Sequence, residues 1–350
     1  MKACRLHKIG DFSCDEIDVP QPTGEQLLIK VSSCGICGSD IPRIYSHGTS
    51  NGKYPCTIGH EFGGEIVKVG PDANASLVGK YGAIFPLIPC NECEQCKNQY
   101  YAMCEDYDYM GSRTDGGFAE YCLIPSDWHF IEAPSNMDKD SFALVEPCTV
   151  AQHAVRTAKS DENDSIIIFG AGPIGIMAAR WANILGFKKV LLVDVDSEKV
   201  DFANNAGVKC INSTNEDILK AWQDYSGLMH CDAAIEGSGF GTALGNCIEV
   251  VKHHGTVVLM GNPASDTQIK QSQHSLILRK ELNIKGIWNS YYKAKEIDEW
   301  SCTINQISNG NMKVDDLITH KVSLNEIPDV CDKIYNKKIS FCKAIYSSSI

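Results

Sequence analysis

Three groups of residues have types and spacings that could do chemistry. The densest is Cys90-x2-Cys93-x2-Cys96-x7-Cys104. Four thiolates within fifteen residues match a closed tetrahedral zinc site, which leaves no position for water and so implies a structural role. The intervening residues (NE, EQ, KNQYYAM) are mostly polar. Such a loop has little apolar material to fold on, so metal must supply its order. An iron–sulfur cluster is the rival, since it also takes four cysteines, but the C-x2-C-x2-C-x3-C-P spacing is not met.

The second group is spread along the chain. Cys37 lies in Cys34-Gly-Ile-Cys37-Gly-Ser39-Asp40, His60 and Glu61 in Gly59-His-Glu-Phe-Gly-Gly64-x5-Gly70, and Glu146 in Val-Glu146-Pro147-Cys148. One thiolate, one imidazole and one carboxylate suit zinc, and three protein ligands leave an open position, the catalytic pattern. Each residue also has an ordinary reading. A single cysteine is more often buried and inert, as Cys34 is expected to be. A His–Glu pair is usually a surface ion pair, and Glu146 reads as a carboxylate at a helix start. Cys148 competes as a further ligand.

The third group is Gly170-Ala-Gly172-Pro173-Ile174-Gly175, which fits G-x-G-x-x-G between an apolar run and a helical stretch. The first glycine permits a tight turn, the second lets a pyrophosphate approach the backbone, and the third lets helix and strand pack closely. Free N–H groups at the helix start would hold the phosphates. Asp194 ends the next apolar run, 19 residues after Gly175. A carboxylate there accepts hydrogen bonds from both adenosine ribose hydroxyls and repels a 2′-phosphate, so NAD is expected over NADP. The ordinary reading is a turn aspartate in a fold that binds something else.

These residues need elements to hold them. Up to about residue 148 the chain has short alternating or apolar runs (Gln26–Ser32, Glu65–Val69, Tyr81–Phe85, Ala119–Ile124) separated by turn residues. That predicts a small β-rich domain, with the four-cysteine lobe at 86–108. From 149 to 288 the pattern alternates. Strands are expected at Ile166–Phe169, Lys189–Asp194, Lys209–Asn212, Cys231–Glu236, Thr256–Met260 and Leu282–Gly286, with helices from about Ile174, Glu198 and Asn215. This predicts an α/β, doubly wound parallel sheet. Residues 289–350 are too few for a domain and should return to the first part.

Composition bounds the partners. Three hundred and fifty residues suggest two domains. A formal charge of −12 argues against nucleic acid or an anionic membrane, but not against a small anionic substrate met by a local cationic pocket. Ile166 to Gly186 has the length of a membrane span, yet it holds Arg180, Asn183 and several Gly/Pro breakers, so a strand–turn–helix is expected. The 17 cysteines are an odd number, and the opening MKACRLHKIGDF has no apolar leader run. Free thiols, some on metal, in a reducing cytoplasmic compartment are therefore expected.

Taken together, GHEFGG(x5)G, CGICGSD, the four-cysteine lobe and GAGPIG resemble the zinc-dependent medium-chain alcohol/polyol dehydrogenases, over essentially the whole chain. Glu146 stands where the classical alcohol dehydrogenases place a cysteine ligand, which favours the polyol branch. CGSDIPRIY, PLIPCNECEQC and MGSRTDGGFAEY resemble the galactitol-1-phosphate 5-dehydrogenases.

The resemblance implies a GroES-like catalytic domain split around a Rossmann domain, NAD, and two zinc ions per chain. By the same resemblance Cys37, His60 and Glu146 hold a catalytic ion, with Glu61 beside it, and Cys90, Cys93, Cys96 and Cys104 hold a structural one. Many relatives carry a proton-relay histidine two or three residues after the CxSD serine. Here those positions are Ile41 and Pro42, so Ser39 is the expected first proton acceptor; its ordinary reading is a helix N-cap. A phosphorylated substrate would need cations, and Arg43 and Arg113 are the candidates. Relatives are dimers or tetramers, so a homodimer or homotetramer is expected. The alternatives are another polyol, diol or threonine-type dehydrogenase, and, remotely, a cofactor-binding protein without turnover.

Overall fold

The computed structural model describes residues 1–160, 164–263 and 265–350. It divides into two compact units: Met1–Pro147 with Tyr291–Ile350, and Cys148–Ser290.

In the first unit, strands run in the order Phe130–Glu132, Tyr81–Ile84, Glu61–Val69, Leu27–Gly35, Lys343–Ser347, Ile318–Val322. Tyr121–Ile124 also pairs with Leu27–Gly35. The last pairing in that order is parallel and the others antiparallel. The alternation that predicts these strands points Leu27, Ile29 and Val31 into a core with Phe62, Ile66 and Phe118. A smaller sheet joins the Lys2–Lys8/Asp11–Glu16 hairpin to Cys56–Thr57.

Sequence reading alone does not expect the strands near the two termini, although Gly10, with a φ of +78°, marks the turn of the N-terminal hairpin. The final strand completes the sheet of the first unit: Ile345 stands opposite Gly35.

The second unit has the expected six-stranded parallel sheet. Its order is Cys210–Asn212, Lys189–Asp194, Ser165–Phe169, Cys231–Glu236, Val251–Leu259, Asn283–Gly286. The order reverses between Ser165–Phe169 and Cys231–Glu236, and a ligand crevice forms at such a switch point, beyond the carboxyl ends of the strands. Ile166–Ile168 are fully buried, as a central parallel strand covered on both faces requires. The apolar stretch checked for membrane length resolves into Ser165–Phe169, a turn, and the helix Pro173–Ile184. Among the described residues no helix is long and apolar enough to cross a membrane.

Candidate active site and metal centres

The glycine loop leaves the Ser165–Phe169 strand at Gly170, whose φ of +105° suits glycine. A Cβ on Gly175 would collide with the Gly170 carbonyl, so the helix starts tight against the turn. A Cβ on Gly172 would meet nothing, which leaves open space beside the helix N-terminus. Gly172 is the N-cap and Pro173 the first helical residue, with a fixed φ that suits that position. Asp194 accepts the Ala171 N–H at 2.7 Å through one oxygen and the Val195 and Asp196 amides, at 2.7 and 3.0 Å, through the other. Its carboxylate is therefore fixed beside the loop.

The cysteine lobe is closed at its base by a two-residue antiparallel ladder, Leu87–Ile88 with Asp108–Tyr109. Cys93 caps the short helix Glu94–Lys97. Sulfur separations are 3.4 Å for Cys104–Cys90 and 4.0 Å for both Cys90–Cys96 and Cys93–Cys104. A tetrahedral ion with Zn–S near 2.3 Å sets its sulfurs about 3.8 Å apart. The amides of Cys90, Cys93 and Cys96 donate to Cys104, Cys90 and Cys93 sulfurs at 3.3, 3.4 and 3.5 Å. Amide donors from Glu105 and Cys96 hold the Cys93 thiol down at about 6. Burial raises the Cys96 and Cys104 thiols, so the amide donors favour the thiolate at Cys93, and the four gathered sulfurs fit a single ion of the size of zinc.

The second group assembles from distant chain positions. The donor atoms of Cys37, His60 and Glu61 lie within 4.8 Å of one another. Cys37 follows the Leu27–Gly35 strand, and Glu61 opens the neighbouring strand opposite Gly35. A side chain on Gly35 would collide with the Glu61 carboxylate and crowd Lys343, so the strand must end in glycine there.

Two partners absent from the sequence reading organise this group. Asp40, fully buried, accepts the Cys37 amide at 2.9 Å, and its other oxygen lies 3.4 Å from His60 Nδ1, an ion-pair distance rather than a well-formed hydrogen bond. Burial pushes the Asp40 carboxyl up, but His60 beside it and the Cys37 amide hold it below its usual range. Lys343 is buried, ion-paired with Glu61, and donates to the Ile36 carbonyl at 3.1 Å. The signals were present: Asp40 follows Ser39 directly, and Lys343 is a lone charge in the apolar run Lys343–Ser347.

Glu146 stands outside the Cys37–His60–Glu61 group of donors. It is buried in the first turn of Val145–Ala158 and accepts the Tyr109 hydroxyl at 3.3 Å. Burial pushes its carboxyl up to about 7, with His60, Glu61 and Lys343 close enough to act on it. The Tyr109 and His60 rings pack in a T-shaped arrangement with centroids 5.7 Å apart. Tyr109 therefore joins the base of the cysteine lobe to the second group.

Cys37, Asp40, Glu61 and Glu146 place several potential negative charges around His60, against the single lysine Lys343 among the groups just described. Burial lowers His60, but Asp40 and Cys37 push it well above its ordinary value, so part of that charge is met inside the group. The mixed thiolate, imidazole and carboxylate set fits zinc.

Ser39 occupies the N-cap position of a short helix but makes no side-chain cap hydrogen bond. Its hydroxyl donates instead to Cys37 Sγ at 3.3 Å. Cys148 is turned elsewhere: its sulfur accepts the Trp181 indole N–H at 3.2 Å. Cys34 is fully buried, and burial holds its thiol well above the ordinary value.

The two arginines are linked through one loop. Arg43 donates to Ser50 Oγ at 3.4 Å, the Ser50 amide donates to the Ser112 carbonyl, and Asn51 Nδ2 donates to the Arg113 carbonyl at 2.8 Å. Arg113 stacks over the Tyr107 ring at 4.1 Å and donates to the Tyr107 carbonyl. The Nε of Arg43 is buried without a hydrogen-bond partner, and its charge reaches Asp40.

Comparison with known proteins agrees with this fold. The alcohol dehydrogenase GroES-like domain matches residues 23–135, and the zinc-binding dehydrogenase domain matches 173–309. The galactitol 1-phosphate 5-dehydrogenase of Escherichia coli K12 is 33% identical over 300 residues, covering 85% of this chain and 86% of its own. A sorbitol dehydrogenase of Bombyx mori is 31% identical over 342 residues, covering 94% of each chain. The crystal structure of galactitol-1-phosphate dehydrogenase from Escherichia coli superposes with a TM-score of 0.91 at 31% identity, over 99% of this chain and 100% of that one. With the doubly wound sheet, the glycine loop and two metal-competent donor sets in place, this chain belongs to the zinc-binding medium-chain alcohol/polyol dehydrogenase family.

Proposed function

We propose that this chain oxidises a secondary alcohol of a polyol phosphate, with galactitol 1-phosphate as the leading substrate, and passes the hydride to NAD. The observation that carries the reading is the gathering of half-buried Cys37 with buried His60 and Glu61, close to Glu146, in a chain of this family. We assign Cys37, His60 and Glu146 as ligands of a catalytic zinc. Glu61, already paired with Lys343, is the alternate carboxylate. Cys90, Cys93, Cys96 and Cys104 hold the structural ion.

A zinc ion held by Cys37, His60 and Glu146 would supply Lewis acidity and so make the hydroxyl of a bound alcohol more acidic. The residues do the rest. Asp40 occupies His60 Nδ1 and so leaves Nε2 as the ligand nitrogen. Lys343 balances Glu61. Ser39, within reach of Cys37 Sγ, accepts the substrate proton and hands it outward. Asp194 takes the adenosine ribose hydroxyls and disfavours a 2′-phosphate, so NAD is preferred over NADP. The working form is a homodimer or homotetramer in the cytoplasm.

Arg43 is the better phosphate contact, since Arg113 is already engaged by Tyr107. An unphosphorylated polyol is the second reading, favoured by the match to a sorbitol dehydrogenase over nearly the whole chain. Turnover with NAD and with NADP on galactitol 1-phosphate, galactitol and sorbitol, with zinc measured on the same sample, separates these readings. Arg43→Ala should lower kcat/KM for the ester by about tenfold or more while sparing the free polyols. An equal loss on all three would remove Arg43 from phosphate recognition.

A further inference from the structure

The metal assignments account for five of the 17 cysteines and leave twelve. Ten of those are buried; Cys14 and Cys302 are partly exposed. Cys14 faces another thiol. In the Lys2–Lys8/Asp11–Glu16 hairpin, Cys4 stands directly opposite Cys14.

The hydrogen-bond phase of the ladder decides how close they are. The Cys4 amide donates to the Phe118 carbonyl at 2.7 Å, and the Glu120 amide donates to the Lys2 carbonyl at 3.0 Å. Even-numbered residues of that strand thus turn their backbone groups away from the hairpin partner. Odd-numbered ones turn toward it: the Ile17 amide donates to the Met1 carbonyl at 2.9 Å. Cys4 and Cys14 are therefore a non-hydrogen-bonded pair, the kind that brings Cα atoms to about 4.5 Å and side chains closest together. Disulfides accept Cα separations of about 4.4–6.8 Å.

The two thiols are close enough to act on each other: the Cys4 side chain lowers the Cys14 thiol, burial opposes this, and Lys2 adds to the lowering, while Cys14 and burial raise Cys4. Cys4 is fully buried, with its sulfur 3.1 Å from the Leu324 carbonyl. Cys34 and Cys331 are near enough to act on Cys4 but are fully buried and cannot meet a dissolved oxidant first.

We propose that Cys4 and Cys14 are a redox-active dithiol that a low-molecular-weight disulfide converts to a cross-strand disulfide. The Cys14 thiolate attacks one sulfur of the small disulfide, whose S–S bond breaks and releases one small thiolate. Cys4 gives up its proton, and its thiolate attacks Cys14 Sγ. The mixed S–S bond breaks and the second small thiolate leaves. The protein loses two electrons and two protons, and the external disulfide becomes two thiols. Cys14 is the entry point and Cys4 the resolving thiol.

The test uses zinc-loaded enzyme equilibrated with glutathione and glutathione disulfide at a series of ratios, quenched with acid, alkylated and digested with trypsin without reduction. The expected product links the peptide 3–5 to the peptide 9–30, with two free thiols lost and the zinc content unchanged. Cys14→Ser should abolish the link. Cys4→Ser or Cys4→Ala should instead trap Cys14 as its mixed disulfide with glutathione. The wild-type map decides the matter even if the Cys4 variants fold poorly. Accumulation of glutathione on wild-type Cys14, a Cys4 link to Cys34 or Cys331, or full alkylation of Cys14 at the most oxidising ratio would each overturn the proposal.

Discussion

The cysteine lobe and the open site use different donors and are organised in opposite ways. All four lobe sulfurs come from one fifteen-residue stretch, and main-chain amides of that stretch donate to three of them. The candidate open-site residues Cys37, His60–Glu61 and Glu146 come from three stretches of the chain, and Asp40 nearby, with Tyr109 and Lys343 from farther off, contact them. The lobe has two short ladder strands and little core of its own, so its order depends on the ion. The open site is built on a sheet with a core of its own. Losing metal should therefore loosen the lobe but merely disarm the open site.

The largest expected effect breaks the comparison on the chemical side. Cys37→Ala should lower kcat/KM by at least about 10³-fold, because the main electrostatic catalyst is lost. Zinc should fall from two ions per chain to one, with the fold and NAD binding retained. Near-wild-type turnover would sink the ligand assignment. Cys93→Ser attacks the other side. It should also remove one zinc, but the loss should appear first as stability, by about 3 kcal/mol or more, with faster proteolysis between residues 90 and 104. A Cys93→Ser protein with unchanged melting and proteolysis but no activity would contradict a structural role for the lobe. Because Tyr109 closes the ladder and contacts Glu146, some activity loss should accompany the unfolding rather than precede it.

The same contrast governs how much was legible in the sequence. The lobe reads directly, since its ligands and their spacing are local. So does the glycine loop, where Gly170 and Gly175 meet within one turn and an apolar run precedes them. The six parallel strands are legible because buried strands alternate with helices. The supports of the open site are not, because only the sheet register brings Lys343 beside Glu61 and Gly35. Nothing in local spacing links position 343 to position 61. The hairpin Lys2–Lys8/Asp11–Glu16 and the terminal strands Ile318–Val322 and Lys343–Ser347 are missed for a related reason. Their pairing is read only when the partner strand is known. Asp40 is different: it lies three residues from Cys37 and is overlooked because an aspartate after serine also reads as ordinary helix-start chemistry.

The smallest expected effect concerns that residue and sharpens the comparison most. Asp40 contacts both the Cys37 amide and His60 Nδ1, so it orients two ligands without touching an ion itself. Asp40→Asn keeps the shape and an acceptor for the amide but removes the charge that steadies the imidazole. Partners of this kind are worth about 10–100-fold in metal affinity, which is about 1.4–2.7 kcal/mol. Competition with a chelator should therefore release zinc from the open site 10–100-fold more readily, while release from the lobe, organised by amides instead of a carboxylate, stays at the wild-type level. Activity should recover as zinc is added back. Equal weakening of both ions would mean that the two centres are coupled through Tyr109, and unchanged release from both would mean that Asp40 serves the Cys37 turn alone.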